Sequence, residues 1–228
     1  MTQSIFRAGV FTGLLIAAAA TCLADPAPSF SASGELERPA DYREWIYLTT
    51  GLDMFYGPVA AAMRRDGSSV FSNVYVAPDA YREFMRSGKW PEKTMFILEA
   101  RRAETAASID NVGKSQGPLL AIESAVKDTA RFGKNEGSNG WGYFAFGGAE
   151  GLKESAAALP TSASCYSCHA QNTAVDNTFV QFYPTLFEVA KRLGTVKPTY
   201  DPAHKLQRAN GLRCRPLPLP PNVEFILP

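Results

Sequence analysis

Short runs of apolar, β-branched and aromatic residues, each bounded by turn formers, dominate the chain from Asp41 to Gly148. Glu44-Trp45-Ile46-Tyr47-Leu48-Thr49-Thr50, closed by Gly51, predicts a first strand, and Val70-Phe71-Ser72-Asn73-Val74-Tyr75-Val76 a second. Pro78 then opens a helix with Asp79 in its first turn, Tyr81, Phe84 and Met85 at helical spacing, and a stop at Gly88. Thr94 to Ala100, Leu119 to Val126 and Trp141 to Phe146 complete five predicted strands, with a Gly-rich linker between Gly133 and Gly140.

Beyond Gly148 the spacing changes from strand-like to helical. Glu150 to Leu159 is Ala-rich and stops at Pro160, which predicts a short helix, and Phe187 to Leu193 predicts another closed by Gly194. The tail from Lys197, with Pro216, Pro218, Pro220 and Pro221, reads as an extended strap or a mobile end.

The N-terminus adds an address. Arg7 precedes an apolar run from Ala8 to Ala20 and small residues ending at Ala24, the pattern of a secretory signal peptide. Cleavage before Cys22 as a lipoprotein is the alternative, but Ala19-Ala20-Thr21 lacks the usual leucine context, so Ala24 is the expected site. The division is then a signal peptide over 1–24, a flexible Pro/Ser/Gly-rich arm over 25–40, a domain over 41–195 and a Pro-rich extension over 196–228. With 23 Lys and Arg against 22 Asp and Glu, no chain-wide field points to nucleic acid or an anionic membrane. A periplasmic protein without a membrane span is expected.

The densest chemistry lies in Cys165-Tyr166-Ser167-Cys168-His169. Two cysteines separated by two residues and followed at once by histidine are what covalent haem attachment needs: two thiols for the vinyl groups and an adjacent imidazole for the iron. A zinc site would need two further ligands, and the other candidates are Cys22, Cys214, His204 and scattered carboxylates. A redox dithiol would sit in a βαβ pattern that the sequence does not contain. Export supports the haem reading, because attachment follows export in bacteria. Strands first and the motif late predict an α+β fold: a five-stranded antiparallel sheet flanked by helices, with the haem-binding helix near the C-terminus.

These features resemble the cytochrome P-460 family, which includes the β-sheet cytochromes c-prime-beta. The likeness runs from about Tyr42 to Leu186. It is carried by Tyr42-Arg43-Glu44-Trp45, by Asn73-Val74-Tyr75-Val76 with Pro78, Tyr81 and Phe84, and by Gly88-Lys89-Trp90-Pro91. Ile122-Glu123, Val126-Lys127-Asp128, Trp141 with Phe144, Leu159-Pro160 and Phe179 to Pro184 extend it. The resemblance implies one covalent haem c on Cys165 and Cys168, His169 as proximal iron ligand, a distal position without a strong protein ligand, and a homodimer. Such haems bind nitric oxide, and some members oxidise hydroxylamine.

Hydroxylamine-oxidising members carry a lysine cross-linked to the haem just before a glutamate of the third strand. Here Leu98 precedes Glu99. Period-two geometry puts Leu98 on one face with Thr94 and Phe96 and turns Lys93 away. An apolar pair, Phe96 and Leu98, over an open iron resembles the cytochrome c-prime-beta arrangement, with ordinary sheet core as the alternative for both, and nitric oxide, which needs no hydrogen-bond donor, is the expected ligand. An oxidoreductase acting on hydroxylamine or nitric oxide would need a distal acid or base, for which Glu99, Glu123 and Asp128 are candidates. An electron-transfer cytochrome serving a redox partner would need a sixth ligand, from Met54, Met63, Met85, Met95 or His204. Cys214, between Arg213 and Arg215, is read as an incidental thiol, with a reactive thiolate or a dimer link as alternatives.

Overall fold

A computed structural model describes residues 27–54, 69–105, 108–109, 111–135, 137–148 and 151–202. The predicted signal peptide lies wholly outside these residues, as do Cys22, Met63, His204, Cys214 and the C-terminal extension beyond residue 202.

In chain order the strands are β1 (Leu36–Glu37), β2 (Ile46–Leu52), β3 (Val70–Val76), β4 (Met95–Thr105), β5 (Lys114–Lys127), β6 (Trp141–Gly148), β7 (Gly151–Leu152) and β8 (Ser155–Ala156). The helices are α1 (Pro78–Ser87), α2 (Thr129–Phe132), α3 (Ser164–Asn172) and α4 (Pro184–Arg192). β2 to β7 form one antiparallel sheet in sequence order, and β1 pairs with β8 in a second, two-stranded sheet.

The antiparallel sheet therefore has six strands, not five. The sixth comes from the segment expected to be an Ala-rich helix over Glu150 to Leu159. Leu152 pairs with Gly147, Ala156 pairs with Leu36, and Ala158 bridges Phe144. Strand edges on both sides outweigh the weak helix preference of alanine, which tertiary pairing readily overrides. Within the stretch read as an arm, Leu36 is fully buried in β1 and Phe30 packs on Phe144 at 6.3 Å.

The first strand is shifted as well. Tyr42–Glu44 form a 3-10 turn and β2 runs through Gly51, which was expected to end it. Gly51 pairs with Ser72, and a Cβ there would lie 2.1 Å from the Met54 sulfur, so the bare backbone lets Met54 fold back on the strand. β4 and β5 are longer than their apolar cores predict, because their outer halves pair as a hairpin past the sheet body.

α1 starts and stops as its sequence indicates. Pro78 sits in its first turn, Ala80 and Phe84 are buried, and Gly88 ends it in the left-handed region at φ 69°. Phe84 lies 4.1 Å from Trp90, whose ring meets Phe96 of β4 at 4.8 Å, and this stack fastens α1 to the sheet. A Cβ on Gly88 would also lie 2.7 Å from the Thr195 hydroxyl. Gly88→Ala is expected to cost about 1–3 kcal/mol of stability, read as a lower denaturant midpoint. An unchanged midpoint would contradict the strain.

Cross-strand register divides the sheet into two faces with different contents. Val74, Leu98 and Glu123 lie in one row, and Val76, Phe96, Ala125 and Tyr143 in the next. On the opposite face, Asn73 pairs across from Glu99. Glu99 is only 1% exposed and is bound by Arg43 and Arg101 at 2.6 Å each, by Asn73 at 3.2 Å and by the Tyr42 hydroxyl.

Candidate functional site

The Cys165 to His169 motif occupies the first turns of α3, entered from Pro160 through a turn in which Ala163 N donates to Pro160 O. Cys165 and Cys168 stand three residues apart and His169 four from Cys165, so all three share one helix face. Both cysteines are half-buried thiols rather than a disulfide. The end of α3 is held by Lys197, whose ammonium donates to Ala170 O at 3.1 Å and to Thr173 Oγ1 at 2.9 Å. A cation there also complements the negative end of the helix dipole.

The imidazole of His169 is fixed on three sides. Tyr143 lies 4.5 Å away, Phe179 meets it edge-on at 4.7 Å, and Nδ1 lies 2.7 Å from the Asn177 carbonyl oxygen. A carbonyl only accepts, so Nδ1 carries the proton and Nε2 keeps its lone pair. Burial pushes the His169 pKa down to about 4, over the opposing pull of the Asn177 carbonyl, and the Lys197 charge lowers it further. At neutral pH the ring is an uncharged ligand with one bare nitrogen.

Asn177 holds its carbonyl in place through a tight turn. Val175 and Thr178 bridge, while Asp176 and Asn177 between them take φ 44° and 54°, the left-handed pair that Asp and Asn tolerate. The Asn177 amide donates to Gly137 O at 2.9 Å and to Ser138 O at 3.2 Å. Asp176 is bound by Lys127 and Asn139, each at 2.5 Å. Burial nevertheless leaves the Asp176 carboxyl above its ordinary pKa, with the Lys127 contacts only partly offsetting it. Thr178 Oγ1 accepts from the Trp90 indole at 2.8 Å, which joins the turn to the aromatic stack under α1. Asp-Asn is a legible turn signal, but nothing in the sequence says that its carbonyl meets His169.

Tyr143 is a second feature that sequence reasoning missed. Its ring lies 4.9 Å from Tyr166 as well as against His169, and its hydroxyl is buried without a hydrogen-bond partner among the described residues. Burial, with the neighbouring Cys165 thiol, raises its pKa well above the ordinary phenol value. An unpaired buried hydroxyl is costly. Its place beside two thiols and a bare imidazole nitrogen fits a bound group that carries hydrogen-bond acceptors.

The two predicted sheet residues have different surroundings. Phe96 is buried between Trp90, Trp141 at 5.8 Å and Tyr183 at 6.2 Å, so it belongs to the aromatic packing between sheet and helices. Leu98 is only partly buried, in the row with Val74 and Glu123. Thr94 lies just before β4 and bonds to Pro91 O, and the Lys93 side chain is bound to Asp128. Met95 lies on the opposite face of β4, and Met85 packs against the core from α1.

The three candidate carboxylates are sorted by their partners. Glu99 belongs to the far face, Asp128 is bound by Lys93 and caps α2, and Glu123 stands on the face of Tyr143 and Leu98. Among the described residues no three His, Cys, Asp or Glu side chains cluster as a metal would need; Cys22, Cys214 and His204, the further ligands named for zinc, lie outside them. The dithiol alternative finds no parallel βαβ unit among the described residues, where every strand pair is antiparallel. What the motif can do is bind a planar iron macrocycle through two thioethers and one nitrogen.

Comparison with known families agrees with this donor set. The family model described as Cytochrome P460 matches residues 39–180, from just before the Tyr42 turn through α3 to Val180. No curated protein matches the chain.

Proposed function

This chain belongs to the cytochrome P460 family, whose model matches residues 39–180, and from that premise we propose that it is an exported mono-haem c-type cytochrome that binds nitric oxide and related small nitrogen species. The observation that carries this reading is the 2.7 Å bond from His169 Nδ1 to the Asn177 carbonyl, which leaves Nε2 bare one helical turn from Cys165 and beside Cys168. In this reading Cys165 and Cys168 hold the haem by thioether bonds and His169 is its protein iron ligand. Bound haem supplies an iron with an exchangeable sixth position. The chain does the rest: Tyr143 and Phe179 fix the imidazole plane, and the Asn177 carbonyl keeps its tautomer.

Leu98 and the neighbouring Val74 give that sheet face an apolar lining, which suits a neutral diatomic ligand. No lysine stands at Leu98 and Lys93 is engaged by Asp128, so ligand binding is favoured over hydroxylamine oxidation by a cross-linked haem. A six-coordinate electron carrier is less well supported, because Met95 lies on the wrong face and Met85 in the α1 packing. A periplasmic location, a homodimer and a cytochrome redox partner complete the proposal. Among the described residues no helix is long and apolar enough to cross a membrane.

Optical spectra of the purified ferric and ferrous protein, with and without nitric oxide, test it. The expected result is a high-spin ferrous haem that takes up nitric oxide. A low-spin spectrum with a methionine-sulfur band and no ligand uptake would overturn the reading. A strongly red-shifted ferrous Soret band of the P460 kind would instead restore the cross-linked enzyme.

A further inference from the structure

The segment that follows α4 brings a cation to the His169 side of the site. Past α4, Gly194 turns the chain back at φ 66°, and Lys197 N then donates to Ala174 O at 2.8 Å, just beyond the end of α3. Tyr200 packs edge-on against Phe187 at 5.9 Å and fastens the far end of this segment. The Lys197 ammonium is thereby delivered to Ala170 O and Thr173 Oγ1, and the Thr173 hydroxyl in turn donates to the His169 carbonyl at 2.5 Å. One hydroxyl separates a cation from the backbone of the residue read as iron ligand. Asp176 attracts this cation, but it is itself bound by Lys127 at 2.5 Å, so two lysines stand against one carboxylate around the turn that presents Asn177. The family match ends at residue 180, well before Lys197.

We propose that Lys197 is a positioning residue that raises the reduction potential of the haem and so favours the ferrous state that takes up nitric oxide. This rests on the haem reading above and adds to it the oxidation state in which the site works. Groups around an axial ligand are one of the means by which a protein sets a haem potential. Ferric iron carries one positive charge more than ferrous iron, and a fixed cation nearby penalises the more positive state. The His169 ring registers the same field: the Lys197 charge opposes the charge of a proton on the imidazole, and an added charge on iron bound at Nε2 meets the same opposition. Lys197 is half-buried, so salt screens it less than a surface lysine. Unit charges about 10 Å apart at an effective dielectric of about 20 shift an equilibrium by on the order of tenfold.

Midpoint potentials of the wild-type holoprotein, Lys197→Arg, Lys197→Met and Lys197→Gln would be measured by spectroelectrochemical titration at neutral pH. Haem content would be checked by the pyridine haemochrome and stability by denaturant unfolding. Lys197→Met is expected to move the ferrous to ferric ratio at a fixed poise about tenfold toward ferric, a midpoint about 59 mV lower for a one-electron couple. Lys197→Gln, which keeps an N–H donor but no charge, should fall by a similar amount, and Lys197→Arg should stay near the wild type. A role confined to capping α3 would move stability alone. Haem-loaded Lys197→Met or Lys197→Gln with a lower unfolding midpoint and an unchanged potential would therefore overturn the proposal. So would a fall in Lys197→Arg as large as that in Lys197→Met, which assigns the effect to packing. Loss of haem loading in both uncharged variants would make Lys197 an assembly residue and overturn its role in the potential, whereas a wild type without covalent haem would overturn the haem reading itself.

Discussion

Protein carrying Cys165→Ala together with Cys168→Ala is expected to release all of its haem into acid acetone, whereas the wild type retains it quantitatively through the same extraction. α3 places the two sulfurs one turn apart on one face, with His169 next to the second, so under the proposed attachment loss of both thioethers would leave only a coordinate bond that acid breaks. A single substitution should keep one linkage and remain acid-stable, with a shifted pyridine haemochrome band. Retention of haem by the double variant would show that the attachment lies elsewhere on the chain. His169→Gly separates attachment from ligation: haem should stay covalent while the iron loses its nitrogen donor, and added imidazole should restore the wild-type spectrum. That rescue depends on the space between Tyr143 and Phe179 being shaped for an imidazole ring.

Glu99→Leu should cost about 3 kcal/mol of stability at neutral pH, the scale of removing one partner from a buried ion pair, without altering the haem spectrum. The carboxylate is 1% exposed and joins Arg43 and Arg101 at 2.6 Å each. Its removal leaves Arg101, Asn73 and Tyr42 without their shared acceptor. Arg43 is 55% exposed, so solvent screens its share and the lower end of the usual range is expected. Burial alone would raise the Glu99 pKa, but hydrogen bonds from Arg101 and Tyr42 and the charges of both arginines hold it below the ordinary value. The native state thus binds this proton less readily than the unfolded chain. The contribution is complete above the unfolded carboxylate pKa of about 4.3 and is lost as pH falls through the depressed native value. Denaturant unfolding of wild type and Glu99→Gln should show a stability gap that narrows on acidification. A gap of constant size from neutral to strongly acid pH would refute this linkage.

The strands with a strong β-branched and aromatic content were legible in the sequence, as were both ends of α1, because Pro78 and Gly88 act through local backbone geometry. The segment over Glu150 to Leu159 was not, since its conformation depends on Leu36 and Phe144 offering partners far away in the chain. The family and the CysXXCysHis helix could be read directly, because one pentapeptide and a few ordered markers carry them. The support of His169 could not. Its carbonyl partner at Asn177 and the Tyr143 ring come from separate segments that only tertiary packing brings to one imidazole, and Lys197 reaches the end of the same helix from a third. Phe96 and Leu98 share a face as period-two geometry requires, but the neighbours that distinguish them, Trp141 and Tyr183 against Glu123, are set by register and helix docking.

The two unlike faces of β4 make its phase with respect to its neighbours a chemical variable. A slip of one residue would exchange Leu98 for Glu99, setting an anion among the apolar side chains and a leucine among the arginines. The irregular pairings with β5 are confined to the far side of Ala100, between Ala100 and Arg101 and between Arg101 and Ala103. An inserted residue can be absorbed there, because a bulge takes up one extra position without passing it on. Between Met95 and Ala100 the same insertion has nowhere to go and would invert the strand. The length of the hairpin can therefore drift through evolution while the stretch of β4 from Met95 to Ala100 keeps its count.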